Sequence, residues 1–375
     1  MALLEVDDLR VSFPTEDGRL HAVQGLSFSV DPGRTLAIVG ESGSGKSVAT
    51  QTMVGLTRGA QVSGRALFDG ADLLTLPQEQ LRRLRGEAIG FVFQDPLTSL
   101  HPQYTVGWQL AEVMRAHETI ARGPARARAI ELLTQVGIPR PEKRIDDFPH
   151  QFSGGMRQRA MIAMAVALNP RLLVADEPTT ALDVTVQAQV LELMKRLQAD
   201  YSAALIIITH DLGVVADMAD EVLVMYGGRA VEVADRRTLY YRQHHPYTKG
   251  LLASVPLSAA HTEGSRLIPI AGQPPSLLRP PPGCSFHPRC PYAMDVCTRE
   301  RPPLEPVSGD LEATSEHTSA CHLPEDALGS SAAAEDLRRA AVAAAGDTGF
   351  ATVGAAVGVG SAEEVPAPDV AGDGR

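Results

Sequence analysis

The chain lacks clustered positive charge, long apolar runs and abundant cysteine, and each shortage excludes a class of protein. Lysine and arginine number 34 against 45 aspartates and glutamates, for a formal net charge of -11. The excess is uneven: from Glu325 onward there are nine acids and three arginines. Neither part carries the clustered basic footprint of a nucleic-acid surface, so no nucleic-acid partner is expected. Glu5, Asp7 and Asp8 near the start argue against a secretory leader. The weakly apolar tract Ala340–Gly360 is mostly Ala, Gly and Val with Asp347 inside, a poor membrane helix. Four cysteines in a cytosolic setting are not expected to form disulfides. No internal repeat is evident. What is present is a hydrophobic fraction of 44%, sufficient for a substantial core.

The most informative segment is Gly40-Glu41-Ser42-Gly43-Ser44-Gly45-Lys46-Ser47, which has Walker A spacing. It follows the apolar run Thr35–Val39 and precedes a proline-free stretch, Lys46 to Leu56, that reads as a helix. Gly40, Gly43 and Gly45 let backbone N–H groups, with those of Ser42 and Ser44, curl around phosphate at a helix N-terminus. Lys46 is expected to reach the β- and γ-phosphates and Ser47 to ligate Mg2+. The chain is therefore expected to bind ATP or a similar triphosphate.

Leu4–Phe13 and Leu20–Val30, separated by Thr15-Glu16-Asp17-Gly18, predict an antiparallel hairpin. Ala66–Phe68, Ile89–Phe93, Leu172–Ala175 and Ala204–Ile208 read as strands. Residues 106–168 have helical periodicity, with Ile130, Leu133, Val136 and Gly137 on one face, and Val184–Gln198 predicts a further helix. This alternation implies an α/β fold with a parallel sheet and a helical insertion. From Leu323 the Ala/Gly-rich, acidic tail, almost without aromatics, is expected to be disordered.

Leu172–Ala175 ends in Asp176-Glu177, the Walker B pattern: Asp176 would hold Mg2+ through water and Glu177 would orient or polarise the attacking water. Phe152-Ser153-Gly154-Gly155-Met156 offers a second helix end suited to phosphate, with Ser153 as N-cap and Gly154 and Gly155 allowing close approach. This segment resembles the LSGGQ signature of the ATP-binding-cassette (ABC) ATPases, and the resemblance extends over residues 1–235 in the family's motif order. It implies a P-loop NTPase cassette with a parallel core sheet, an N-terminal antiparallel β subdomain and a helical subdomain at about 96–170. It also implies roles for Gln94 (the Q-loop residue, sensing Mg2+ and coupling to a transmembrane partner), Asp183 (D-loop) and His210 (switch). Phe13 lies where the family stacks an aromatic on adenine, and equally reads as a core strand residue. In the family, the signature of one subunit closes on ATP held by another.

Cys284, Cys290, Cys297 and Cys321 fall in one region without closely paired knuckles. Their spacing leaves a 4Fe-4S cluster, zinc and unligated thiols open. His245–Leu252, Gly272-Gln273-Pro274-Pro275 and Cys284–Cys321 resemble the C-terminal extension of oligopeptide/dipeptide importer ATPases, some of which carry an iron–sulfur cluster on these cysteines. The resemblance implies a 236–322 extension and a peripheral location on the cytoplasmic face of the membrane. Its implied partners are a second homologous ATPase subunit, two permeases and an extracytoplasmic solute-binding protein. Nickel and other solutes remain alternatives to peptides, and a non-transport ABC ATPase is a further one.

Overall fold

The structure, a computed structural model, describes residues 2–180, 182–254, 270–307 and 316–324. The disorder expected of the acidic tail and the tract Ala340–Gly360 lie outside the described residues. Twelve strands are described: β1 (Leu4–Thr15), β2 (Gly18–Val30), β3 (Thr35–Val39), β4 (Gln61–Phe68), β5 (Ala71–Asp72), β6 (Ile89–Val92), β7 (Leu172–Asp176), β8 (Ala204–Thr209), β9 (Glu221–Tyr226), β10 (Arg229–Asp235), β11 (Glu305–Pro306) and β12 (Thr318–Ser319). β1 and β2 form the expected hairpin, and with β4 and β5 they make an antiparallel sheet in the order β2-β1-β4-β5.

The second sheet runs β11-β12-β10-β9-β3-β8-β7-β6. Its segment β9-β3-β8-β7-β6 is parallel. Successive residues of these strands face opposite layers. Ala37, Val39, Leu173, Ala175, Leu205 and Ile207 join one core cluster, and Leu36, Ile38, Leu172, Val174, Ile206 and Ile208 join the other. A strand covered on both faces must be apolar at every position, which is why these segments read as continuous hydrophobic runs. Each fully buried Leu, Ile or Val contributes about 1.5–3 kcal/mol, so this sheet is the rigid frame of the molecule.

The insertion contains the helices Pro96–Ser99, Val106–His117, Arg122–Gln135, Pro141–Arg144 and Gly154–Val166. Two boundaries depart from expectation because glycine ends the helix early. The helix after the phosphate loop stops at Met53, where Gly55 takes φ +67° and Leu56 N–H bonds back to the Gln51 carbonyl. Gly137 lies beyond the helix it was assigned to. That helix ends at Gln135, and Gly137, at φ +73°, closes it as Ile138 N–H reaches the Leu133 carbonyl.

The C-terminal extension shares the main sheet. β12 pairs with β10 through Glu232↔Ser319 and Val233↔Thr318, and β11 pairs with β12. Tyr240, Tyr247, Leu252 and Phe286 belong to the same core cluster as the insertion helices.

Candidate active site

Because β3, β6, β7 and β8 are parallel, their C-terminal ends lie along one sheet edge. Val39 pairs with Thr209, Asp176 with Ile208 and Val92 with Ala175. The loops that follow carry residues 40–47, Gln94, Glu177 and His210. Ligands of open α/β sheets bind at this carboxyl edge.

Residues 40–47 form a tight loop leading into the helix Lys46–Met53. Two of its glycines are obligatory. At Gly40 (φ +153°) a Cβ would stand 2.2 Å from the Met225 carbonyl oxygen, and at Gly45 (φ +100°) 2.3 Å from that of Ala22. Around Gly43 there is open space. Buried Lys46 donates to the carbonyls of Gly40 (2.7 Å) and Glu41 (2.9 Å), leaving one of its three donors for a ligand. Burial lowers its pKa, opposed by Glu177, Asp176 and Glu41. The Ser44 hydroxyl is buried with no hydrogen-bond partner, an orphaned donor of the kind a phosphate oxygen would satisfy.

Ser47 donates to Asp176 Oδ1 at 2.8 Å, and Gln51 reaches Oδ2 at 3.4 Å. Burial raises the Asp176 pKa against these two donors, with Glu177 adding to the rise. A hydroxyl and a carboxylate joined at the end of β7 are hard oxygen donors, the set Mg2+ prefers. Gln94, expected near the same ion, meets Glu177, the residue that follows Asp176. The Gln94 amide donates to Glu177 Oε2 at 3.0 Å, and among the described residues no hydrogen bond joins it to Ser47 or Asp176.

Glu177 is the hub of this edge. Its backbone is left-handed (φ +47°), a costly conformation for a residue with a Cβ, and its N–H is fixed on the Ile208 carbonyl. Thr180 also donates to Oε2 (2.9 Å), and Nδ1 of exposed His210 lies 3.5 Å from Oε1. Gln94 and His210, expected to act separately from Glu177, thus converge on its carboxylate.

Ser153 caps Gly154–Val166, accepting from Met156 N–H, as expected. Gly154 faces open space. A Cβ on Gly155 would meet Val186 at 2.7 Å. Asp183 caps the helix Val184–Tyr201 by accepting from Val186 N–H, so Gly155 and Asp183 lie side by side against Val186. Phe13 is half-buried against the core cluster beneath the hairpin.

Sequence reasoning missed the tie between the loop and the extension. Arg289 holds Glu41 through both carboxylate oxygens, at 2.6 and 3.0 Å, and Tyr247 Oη accepts from Glu41 N–H at 2.8 Å. These partners lie 248 and 206 residues away, with no local signal to mark them.

The four thiols are free, and Cys284, Cys290 and Cys297 all act electrostatically on Cys321. Burial pushes Cys321 up to about 12 and raises Cys284 and Cys290. Cys321 lines an open cavity of about 480 Å3 with His244 and Ser319. Thiolates, not thiols, ligate metals. Among the described residues no three His, Cys, Asp or Glu side chains form a metal-holding group, so the expected 4Fe-4S cluster does not fit the cysteines as they stand.

Residues 23–180 match the ABC transporter family, and residues 231–297 match the oligopeptide/dipeptide transporter C-terminal region. The oligopeptide transport ATP-binding protein OppD of Bacillus subtilis is 52% identical over 309 residues, covering 82% of this chain and 86% of its own length. The chain belongs to the ABC transporter family. OppD of Escherichia coli is 49% identical over 87% of this chain and 95% of its own length, and DppD of Escherichia coli, a dipeptide transport ATP-binding protein, is 46% identical over 88% and 99%. Among solved structures, a dimeric ATP-binding cassette in a post-hydrolysis state with ADP and Pi matches with a TM-score of 0.57. It is 25% identical over 62% of this ABC chain and 99% of its own. CbiO1 of Clostridium perfringens matches with a TM-score of 0.55 at 30% identity, over 64% and 90%.

Proposed function

We infer that this chain is the ATP-hydrolysing subunit of a peptide importer. The observation that carries the reading is the convergence of Lys46, Ser47, Asp176, Glu177, Gln94 and His210 along one sheet edge, in a chain whose relatives are named for oligopeptide and dipeptide transport. The loop 40–47 and Lys46 would take the phosphates of ATP. Ser47 and Asp176 would hold Mg2+, which supplies charge neutralisation when bound. Glu177 would orient the attacking water and accept its proton, with Gln94 and Thr180 fixing the carboxylate and His210 placed to reach the γ-phosphate. Ser153, Gly154 and Gly155 would close on ATP held by a second cassette, while Phe13 would stack on the adenine.

No described helix is long and apolar enough to cross a membrane, so two partner permeases would supply the pore and an extracytoplasmic binding protein the cargo. The subunit would then sit peripherally on the cytoplasmic face. A docking surface for a permease is supported by exposed Phe93, Leu97, Tyr104 and Trp108, which flank Gln94 in sequence. Tyr104 and Trp108 stack at 4.0 Å, presenting a flat apolar platform. An iron–sulfur cluster on the four cysteines would require the thiols to regroup and ionise, since among the described residues they form no metal-holding group. Anaerobic purification giving a brown protein with stoichiometric iron would support it; a colourless, iron-free protein would remove it.

The test of the main reading is uptake of labelled di- and oligopeptides and of Ni2+ in cells carrying wild type or Lys46→Ala. Loss of peptide uptake alone is expected. Loss of Ni2+ uptake with peptides unaffected would keep the ATPase and move the cargo to the metal branch.

A further inference from the structure

Glu41, the second residue of the phosphate loop, is held from three directions. Its carbonyl accepts from Lys46, its N–H donates to Tyr247 Oη, and its carboxylate takes two parallel hydrogen bonds from Arg289. The Arg289 side chain is only 4% exposed. Its guanidinium also donates to the carbonyls of Ala271 (2.9 Å) and Ile270 (3.2 Å) and to Tyr226 Oη (3.3 Å). With its donors engaged on four residues, this side chain has one geometry. Tyr226 and Tyr247 pack on each other and on Phe286, with ring centroids 4.5 to 5.4 Å apart.

Arg289 and Phe286 lie between Cys284 and Cys290, and Tyr247 lies on the helix Pro246–Ala253. All three belong to the extension, yet they fix the residue whose carbonyl positions Lys46. Loops that cradle phosphate need their backbone preset, because misplacing an interacting group by an ångström forfeits much of its binding energy. A bidentate arginine–carboxylate pair adds both strength and geometric specificity to such a fixture.

We propose that Arg289 and Tyr247 are positioning residues of the ATP site: through Glu41 they set the phosphate loop, so that the C-terminal extension tunes ATP affinity. The proposal rests on the assignment of residues 40–47 as the nucleotide site.

The test measures ATP affinity of the purified full-length chain, with its thermal midpoint in the absence of nucleotide, for Arg289→Met, Glu41→Gln, their double variant, Arg289→Lys and Tyr247→Phe. Arg289→Met and Glu41→Gln should each weaken ATP about tenfold, corresponding to ~1.4 kcal/mol, and the double variant no more than either, since all three break one contact. Tyr247→Phe, which keeps the ring packing, should weaken ATP about threefold, in line with one lost hydrogen bond. Arg289→Lys should recover part of the affinity lost in Arg289→Met. A role confined to stability would lower the midpoint and leave affinity within about twofold, a change below the worth of one hydrogen bond; that result, or additive losses in the double variant, would overturn the proposal. Should Arg289→Met fail to fold, Tyr247→Phe and Arg289→Lys decide by the same criterion. Lys46→Ala separates the two failures. If it binds ATP normally, the site assignment falls; if it loses ATP while Arg289→Met and Tyr247→Phe bind normally, only the positioning role falls.

Discussion

The sheet edge at the ends of β3, β7 and β8 and the extension that lies against it are built by different physics. The strands beneath the edge are apolar at nearly every position and buried on both faces, so burial holds them in the core. The extension contributes strands of two residues each, too short to hold themselves. It is secured instead by buried polar links. Glu232, fully buried on β10, accepts from the N–H groups of His244 (2.5 Å) and His245 (3.1 Å) and lies 2.9 Å from His317 Nε2. A frame made of packing tolerates the loss of one contact. A module held by a few buried polar links fails when one of them is removed, and it can also transmit what happens to it.

The largest expected effect lies at the edge. Glu177→Gln should lower ATP turnover by about 10²–10⁴-fold, the usual worth of a positioned general base. It should retain ATP binding and, on the family's pattern, stabilise a closed dimer. Single-turnover kinetics beside equilibrium binding would check this, and unchanged turnover would remove Glu177 from the chemistry. Where the extension is attached, Glu232→Ala should cost about 1–3 kcal/mol for each buried donor left without its partner. Denaturation should show it, and limited proteolysis should cut the extension before the cassette. A single cooperative transition without early cleavage would show that the two regions are one unit, erasing the contrast.

A pH titration separates the regions further. Burial depresses His245 to about 4, so over the interval from about 4 to its ordinary value near 6.5 the unfolded chain binds the extra proton. Stability is therefore lost as pH falls through that interval, by up to about 1.4 kcal/mol per unit. His245→Gln should flatten the dependence, measured as the denaturation midpoint at pH 4.5 and 7.5. An unflattened curve would assign the acid sensitivity to other groups.

The legibility of each region follows from this difference. The Walker A loop, the strands β3, β7 and β8 and the cap Ser153 are written in contiguous residues, because period, glycine placement and capping act over a few positions. The same local rules misjudged the ends of two helices, where Gly55 and Gly137 adopt positive φ and end the helix. The meeting of Gln94, Thr180 and His210 on Glu177 is a consequence of strand order, which no single segment encodes. Arg289 on Glu41 and His317 on Glu232 join residues 248 and 85 positions apart. A lone arginine beside a cysteine and a lone glutamate in a strand carry no pattern that announces a partner, so the extension's attachment was hidden while its outline was visible.

The smallest effect tests whether the edge gives up stability for function. Burial raises the Asp176 pKa, and the negative charge of Glu177 raises it further, outweighing the donors Ser47 and Gln51. A carboxylate whose folded pKa lies above its unfolded value, 3.8, stabilises the fold fully below that value and loses the contribution as pH rises through the folded pKa. At pH 7.5 the nucleotide-free fold therefore bears the cost of keeping a carboxyl group at this buried position, a cost that Asp176→Asn removes. The variant should melt higher, by about 2–4 °C for each 1 kcal/mol relieved, and lose Mg2+-dependent turnover. The gain should shrink as pH is lowered toward 3.8, where wild type recovers its proton. A lower melting point at pH 7.5 would mean that Ser47 and Gln51 outweigh the desolvation, and that this edge, like the strands below it, is built for stability as well as for chemistry.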